Sequence, residues 1–178
     1  MNSKTKKLTT AGMLCALAYG ATLIGRIPIV LFLKYDPKDS IIAIGGLLLG
    51  PLTSFAVALI VSLAEMFTIS ETGILGFLMN VISSSSFACT AALIYKKKTR
   101  RSGAMIGLFC GWGSMVLIML LWNYLITPVY MGYPREAVAE LLIPVFLPFN
   151  LMKGGLNAAF AMILYKPVVT AFRYAHLL

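Results

Sequence analysis

The chain has 178 residues, of which 60% are hydrophobic and 12% are charged, and its mean hydropathy is +0.89. A soluble domain typically carries about 25% charged residues, so this composition excludes a soluble domain and indicates a membrane protein. Lysine and arginine number 15 against 6 acidic residues, but the cations flank apolar runs, which favours a role in membrane topology over nucleic-acid binding.

The apolar runs predict an all-α protein with six transmembrane helices in a single membrane-embedded domain, residues 1–178. At about 20 residues per span, this length leaves no room for a separate soluble domain. The predicted spans cover residues 8–24, 40–49, 52–69, 73–95, 103–126 and 148–169, with a short extra helix at 137–142. No small-residue cleavage site follows the first run, so we predict a retained helix rather than a signal peptide.

The orientation of the spans follows from their flanking charges. Gly50-Pro51 predicts a tight turn between the second and third helices. Five of the six residues 96–101 are cationic and the N-terminus carries three lysines, so the positive-inside rule places both segments in the cytoplasm. Six spans place both basic segments in the cytoplasm and put both termini inside. Fusing the second and third helices would put the two basic segments on opposite faces.

Five polar residues interrupt the predicted spans at a similar depth. The helix rise places Glu65, Asn80, Asn123, Asn150 and Lys153 within about 10 Å of the outer interface. Asn150 and Lys153 are three residues apart and share a helical face. Because a polar group facing lipid is costly, such residues usually face a cavity. We therefore predict a pocket open to the outside and suited to a flat, uncharged heteroaromatic ring.

Some of these residues also have purely structural interpretations. Glu65 is a possible buried ion-pair partner for Lys153. Lys153 is also long enough to reach the outer headgroups. Asn80 alone is an equally good candidate for hydrogen bonding between two helices.

The outer loop between the first two helices carries Lys34, Asp36, Lys38 and Asp39. Two carboxylates raise the question of a metal, but the neighbouring lysines favour local salt bridges, with Asp39 as the N-cap of the second helix. We predict no metal site. A lid over the pocket is the functional alternative for this loop.

Small residues recur every four positions in two of the predicted helices, and this spacing permits close helix contact. They are Gly12, Ala16 and Gly20 in the first helix, and Gly103, Gly107 and Gly111 in the fifth. Periodicity alone does not distinguish internal packing from docking to another membrane subunit.

Motifs for catalysis are missing from the sequence. There is no GxxxxGK[ST] nucleotide loop and no HExxH, the only histidine is His176, and Glu65 has no second intramembrane carboxylate for acid–base work. We predict that the chain is not an enzyme and has no cofactor.

An ordered set of motifs resembles the riboflavin-specific S components of energy-coupling factor (ECF) transporters. The motifs are Leu33-Lys34-Tyr35-Asp36-Pro37-Lys38-Asp39, Gly45-Gly46 with Gly50-Pro51, Thr72-Gly73 with Gly76-Phe77-Leu78-Met79-Asn80, Asn123 with Thr127-Pro128, and Pro148-Phe149-Asn150-Leu151-Met152-Lys153-Gly154. They extend in order over nearly the whole chain.

This resemblance implies a substrate-binding subunit in a bacterial plasma membrane that captures riboflavin from outside as a transported substrate. Asn123, Asn150 and Lys153 match the positions expected to hydrogen-bond the isoalloxazine ring, and Thr72, Asn80 and Glu65 are further candidates for the site. The gate between the first two helices corresponds to Lys34, Tyr35, Asp36 and Asp39.

The resemblance also implies partners. Gly12, Ala16 and Gly20 match the surface that docks onto a transmembrane coupling subunit, which carries two cytoplasmic ATPases. Three alternatives remain open: an S component for FMN or another vitamin, a membrane-embedded transferase, and a structural assembly partner.

Overall fold

Eight α-helices account for most of residues 3–175, the part of the chain described by this computed structural model. They are α1 (Ser3–Gly25), α2 (Lys38–Leu49), α3 (Pro51–Thr68), α4 (Gly73–Lys97), α5 (Arg101–Leu125), α6 (Thr127–Met131), α7 (Arg135–Leu141) and α8 (Leu147–Tyr174). The predicted all-α class is confirmed. His176 lies outside the described residues.

Five helical segments within the described residues are long and apolar enough to cross a membrane. They are Lys4–Gly25, Pro51–Thr68, Gly73–Lys97, Arg101–Leu125 and the continuous stretch Arg135–Tyr174. The other predicted span, α2, has 12 residues. At about 1.5 Å per residue it is much shorter than a hydrocarbon core of about 30 Å. Ile42, Ala43 and Ile44 have no exposed surface, which identifies α2 as a core helix.

The chain reverses between α2 and α3, as the sequence predicted. Gly50 has a positive φ of 92°, a backbone conformation that favours glycine, and Pro51 begins α3. The Ser54 hydroxyl donates a hydrogen bond of 3.0 Å to the carbonyl of Ile42. These residues are twelve apart and would be about 18 Å apart in one straight helix. The helices are therefore folded against each other.

The small residues of the fifth predicted helix serve internal packing. A Cβ at Gly107 would lie 2.6 Å from the carbonyl oxygen of Ala91, and a Cβ at Gly111 would lie even closer to the carbonyl oxygen of Phe87. Both neighbours belong to α4, so α4 and α5 approach backbone to backbone. This settles the alternative that the sequence left open for the fifth helix.

The end of the molecule opposite the basic segment 96–101 contains local structure that the sequence did not predict. A β-hairpin, β1 (Ile27–Val30) paired antiparallel with β2 (Leu33–Tyr35), joins α1 to α2. A π-helical turn, Leu142–Phe146, joins α7 to α8. Pro148 follows it. Proline has no N–H and its ring crowds the carbonyl four residues earlier, which favours a widened turn at this point.

Candidate functional site

A cleft at the hairpin end of the helices brings together six of the ten predicted site and gate residues. These six are Lys34, Asp36, Thr72, Asn80, Asn150 and Lys153. The hairpin, the α3–α4 connection, α4 and α8 supply its walls. The cavity volume of the cleft is about 40 Å³, or about 560 Å³ when all the space open to solvent is included. A cavity volume of this size has room for only a water molecule or two.

Glu65 lies behind the cleft in a charged network. Both of its oxygens accept hydrogen bonds of 2.6 Å from the Lys38 ammonium, and Oε2 accepts another of 2.8 Å from Nη2 of Arg26. Thr22 and Asn80 donate longer hydrogen bonds of 3.3 and 3.4 Å. The suggested Glu65–Lys153 ion pair is therefore wrong, because Lys38 and Arg26 occupy this carboxylate.

Asp39 is the acidic partner of Lys153. The Lys153 ammonium lies 3.4 Å from Oδ2 of Asp39, and the Ser84 hydroxyl donates to Oδ1 of the same carboxylate. The prediction that Asp39 caps α2 is wrong, because Pro37 holds that position and Asp39 lies in the first turn with its side chain directed to α4 and α8. Burial explains this, since a carboxylate with no exposed surface needs a charged partner.

The base of the gate loop is held by a bidentate ion pair. Nε and Nη2 of Arg26 donate to the two carboxylate oxygens of Asp36 at 2.6 and 3.2 Å. Burial alone would raise the pKa of Asp36, but Lys38 and Arg26 outweigh it, so the pKa lies below the ordinary 3.8. Burial, together with the charges of Asp39 and Asp36, raises the pKa of Tyr35 to about 12.

The network balances three cations against three carboxylates. The cations are Arg26, Lys38 and Lys153, and the carboxylates are Asp36, Asp39 and Glu65. Ser40 and Asn157 extend it, because the Ser40 hydroxyl donates to Oδ1 of Asn157 at 2.7 Å and Nδ2 of Asn157 donates to the carbonyl of Asp36 at 3.1 Å. The charges are therefore neutralised without a ligand.

Four members of this network were not predicted from the sequence: Arg26, Ser40, Ser84 and Asn157. Most of the partners lie far away in the chain: Ser40 and Asn157 are 117 positions apart, and Ser84 and Asp39 are 45 positions apart. No local spacing signals such a contact. The placement of Arg26 immediately after an apolar run was the only hint.

Two asparagines retain unused hydrogen-bonding atoms. Nδ2 of Asn150 donates to the carbonyl of Phe146 in the π-turn at 2.7 Å, and its Oδ1 accepts no hydrogen bond within residues 3–175. Oδ1 of Asn123 accepts from the Thr127 hydroxyl at 3.0 Å, whereas its buried Nδ2 has no partner among the described residues. Unlike Asn150, Asn123 does not line the cleft.

The hairpin is fastened over the cleft by side-chain contacts on two sides. Nζ of Lys34 lies 3.1 Å from a carboxylate oxygen of Glu71 in the α3–α4 connection. The ring of Phe32 packs edge-on against Tyr130 with centroids 5.0 Å apart, and it lies 6.3 Å from the ring of Phe146. Tyr35, the last residue of β2, and Asp39, in the first turn of α2, do not line the cleft.

The small residues of α1 face outwards. A Cβ at Gly12 or Gly20 would meet nothing within 4 Å, and both Gly12 and Ala16 are exposed. This differs from Gly107 and Gly111 of α5, which α4 covers.

Comparison with known proteins identifies the family. Residues 6–165 match the family described as the ECF transporter, substrate-specific component. The chain belongs to this family. The predicted membership of the ECF S components is therefore confirmed. The chain is therefore a transport component and not an enzyme. It is a multi-pass protein of the bacterial plasma membrane.

Relatives and a solved structure cover almost the whole chain. The riboflavin transporter FmnP of Bacillus subtilis (strain 168) is 29% identical, over 98% of this chain and 99% of its own length. The riboflavin transporter RibU of Staphylococcus aureus (strain TCH60) is 27% identical, over 92% and 90%. The solved S component of a bacterial ECF transporter superposes with a TM-score of 0.80 at 26% identity, covering 95% of this chain and 98% of that one.

Proposed function

We propose that this chain captures riboflavin from outside the cell and delivers it through an ECF transporter. The proposal rests on the cleft in which Asn80, Asn150 and Lys153 come together beside the hairpin. Two relatives named as riboflavin transporters, each matched over at least nine-tenths of both chains, support the same ligand. An isoalloxazine ring presents carbonyl oxygens and ring nitrogens, which need both donors and acceptors.

We assign the polar contacts with the ligand to side-chain atoms that have hydrogen-bonding capacity left over among the described residues. Oδ1 of Asn150 offers an acceptor, and the Lys153 ammonium has donors beyond its single ion pair to Asp39. Nδ2 of Asn123 supplies a further donor once the cleft widens towards α5. Thr72 lies at the mouth, and the ring of Phe149 provides a stacking surface in the wall.

The role we propose for Glu65 is indirect. Its two oxygens already accept from Lys38 and Arg26, and it also accepts from Nδ2 of Asn80. Glu65 therefore positions the Asn80 amide, and Asn80 contacts the ligand.

Loading requires the gate to move. A cleft with a cavity volume of about 40 Å³ cannot enclose a three-ring ligand, so the hairpin and its base must shift. The contacts that must loosen are those of Lys34 with Glu71 and of Phe32 with Tyr130. Tyr35, Asp36 and Asp39 form the base about which the hairpin moves.

Delivery requires partners, and we propose Gly12, Ala16 and Gly20 as the surface that docks onto the coupling subunit. Close approach of a second helix needs small residues with free space above them, and α1 provides both. The coupling subunit would carry two cytoplasmic ATPases. We also propose a single domain of six helices within the membrane, with both termini in the cytoplasm; the sixth is the short α2, which crosses only part of the hydrocarbon core and packs against the longer spans.

The absorption spectrum of the protein purified in mild detergent from a riboflavin-replete host tests the ligand. We expect flavin bands at about one equivalent, with loss of colour in Asn150→Leu and Lys153→Leu. Lys97→Leu is the matched control, because Lys97 lies at the opposite end of α4. Colourless protein that also fails to quench added riboflavin would refute the assignment.

A competition panel separates riboflavin from FMN, which differs by one phosphate. Lys34, Arg26 and Lys153 line the cleft and would favour that phosphate if it bound there. Preferential displacement of bound flavin by FMN would identify FMN as the substrate. Preferential displacement by riboflavin supports our proposal.

A further inference from the structure

The two ends of the protein differ sharply in charge. All six acidic residues lie at the outer end: Asp36, Asp39, Glu65, Glu71, Glu136 and Glu140. Ten of the fifteen cations lie at the other end, in residues 4–7, 96–101, 166 and 173. None of these ten forms an ion pair within residues 3–175.

A cavity of about 380 Å³ opens at this basic end between α4, α5 and α8. Arg100, Arg101 and Lys166 lie around its mouth and are exposed. Tyr95 and Tyr165 lie deeper, with their hydroxyl oxygens 3.4 Å apart. Three cations and two phenol groups with no carboxylate nearby form a site for a phosphate or a similar anion.

Most of the remaining lining is apolar. Met105 and Met162 line the cavity and are each 44% exposed, and Leu108 closes its floor. A free phosphate ion needs no such walls. A molecule with an anionic head and hydrocarbon chains satisfies both parts of the cavity, since the chains can lie along the methionines while the phosphate meets the cations.

We propose that this cavity binds the phosphate of an anionic phospholipid from the cytoplasmic leaflet. The site lies at the end of the protein opposite the flavin cleft and shares no residue with it. The bound lipid fastens the α4–α5 connection to the end of α8. At that end the hydroxyl oxygens of Tyr95 in α4 and Tyr165 in α8 are 3.4 Å apart, at the long limit for a hydrogen bond.

Native mass spectrometry of the protein, with phosphatidylglycerol and phosphatidylcholine as probes, tests this site. We expect selective retention of phosphatidylglycerol, weakened about tenfold or more in Arg100→Gln/Arg101→Gln/Lys166→Gln. Lys4→Gln/Lys97→Gln/Lys98→Gln is the control, because it removes the same charge from the same end without touching the cavity. Equal loss in both triple variants would mean a diffuse surface potential and would overturn the site.

Further measurements distinguish a lipid from a free phosphate ion and show whether each variant is folded. Met162→Trp fills the cavity without changing charge and is also expected to displace the lipid. Flavin binding by each variant reports whether it is folded. The lipid measurement itself needs no flavin, so its result is valid even if the flavin assignment fails.

Competition by inorganic phosphate at millimolar concentration would indicate a free-phosphate site and overturn the lipid proposal. Unchanged lipid retention in the cavity variants, with loss of assembly with the coupling subunit, would indicate a protein contact instead.

Discussion

Replacing Lys38 by methionine tests whether the buried network stabilises the fold. Lys38 has no exposed surface, and its ammonium lies 2.6 Å from both oxygens of Glu65 and 3.7 Å from Asp36. Removing one partner of a buried pair typically costs about 3–5 kcal/mol, because the other charge is left uncompensated. Arg26 still contacts Glu65 in the variant, so we expect the lower half of that range, about 3–4 kcal/mol.

Thermal unfolding in one detergent is the assay. For a chain of this length about 2–4 °C of Tm corresponds to 1 kcal/mol, so Lys38→Met should lower Tm by roughly 6–16 °C. Lys34→Met is the matched control, because its pair with Glu71 is exposed and such pairs contribute about 0–1 kcal/mol. The double variant Lys38→Met/Glu65→Gln should recover part of the loss, since it removes the unpaired charge. A Tm for Lys38→Met equal to that of Lys34→Met would refute this reasoning.

Three further predictions concern packing, pH and the gate. Gly111→Val should lower Tm by several degrees because its side chain would meet the carbonyl of Phe87, whereas Gly12→Val should leave Tm unchanged and weaken co-purification with the coupling subunit; the reverse pattern would contradict the assigned faces. Since the folded-state pKa of Asp36 is depressed, its contribution to stability is present above pH 3.8 and is lost as pH falls further. The Tm difference between wild type and Asp36→Asn should therefore shrink in acid, and a constant difference would exclude this linkage. Lys34→Met should speed flavin dissociation measured by stopped-flow fluorescence, and an unchanged rate would show that its ion pair does not hold the gate.

The sequence predicted the helices well because their signals are local. Long apolar runs bounded by charge require a membrane helix wherever they occur, and glycine followed by proline ends one helix and begins another. The turn at Gly50 was therefore found correctly. The hairpin was missed because its strands, of four and three residues, carry no alternating pattern long enough to detect.

The site was predicted in part for the same reason. An asparagine or lysine inside an apolar run stands out without any structure, and Asn80, Asn150 and Lys153 do line one cleft. Their partners do not stand out. Glu65 pairs with Lys38 across 27 residues, and the sequence suggested Lys153 instead.

The sequence by itself determined that this chain is a membrane protein of the ECF S-component family, because composition, apolar runs and ordered motifs are properties of the chain alone. Only the tertiary structure decided which carboxylate neutralises which cation, and which small residues α4 covers and which stay free on α1. The physical reason is that a buried charge is satisfied by whichever partner packing brings within about 3–4 Å. That distance depends on how the helices are arranged, not on how far apart the residues lie in the chain.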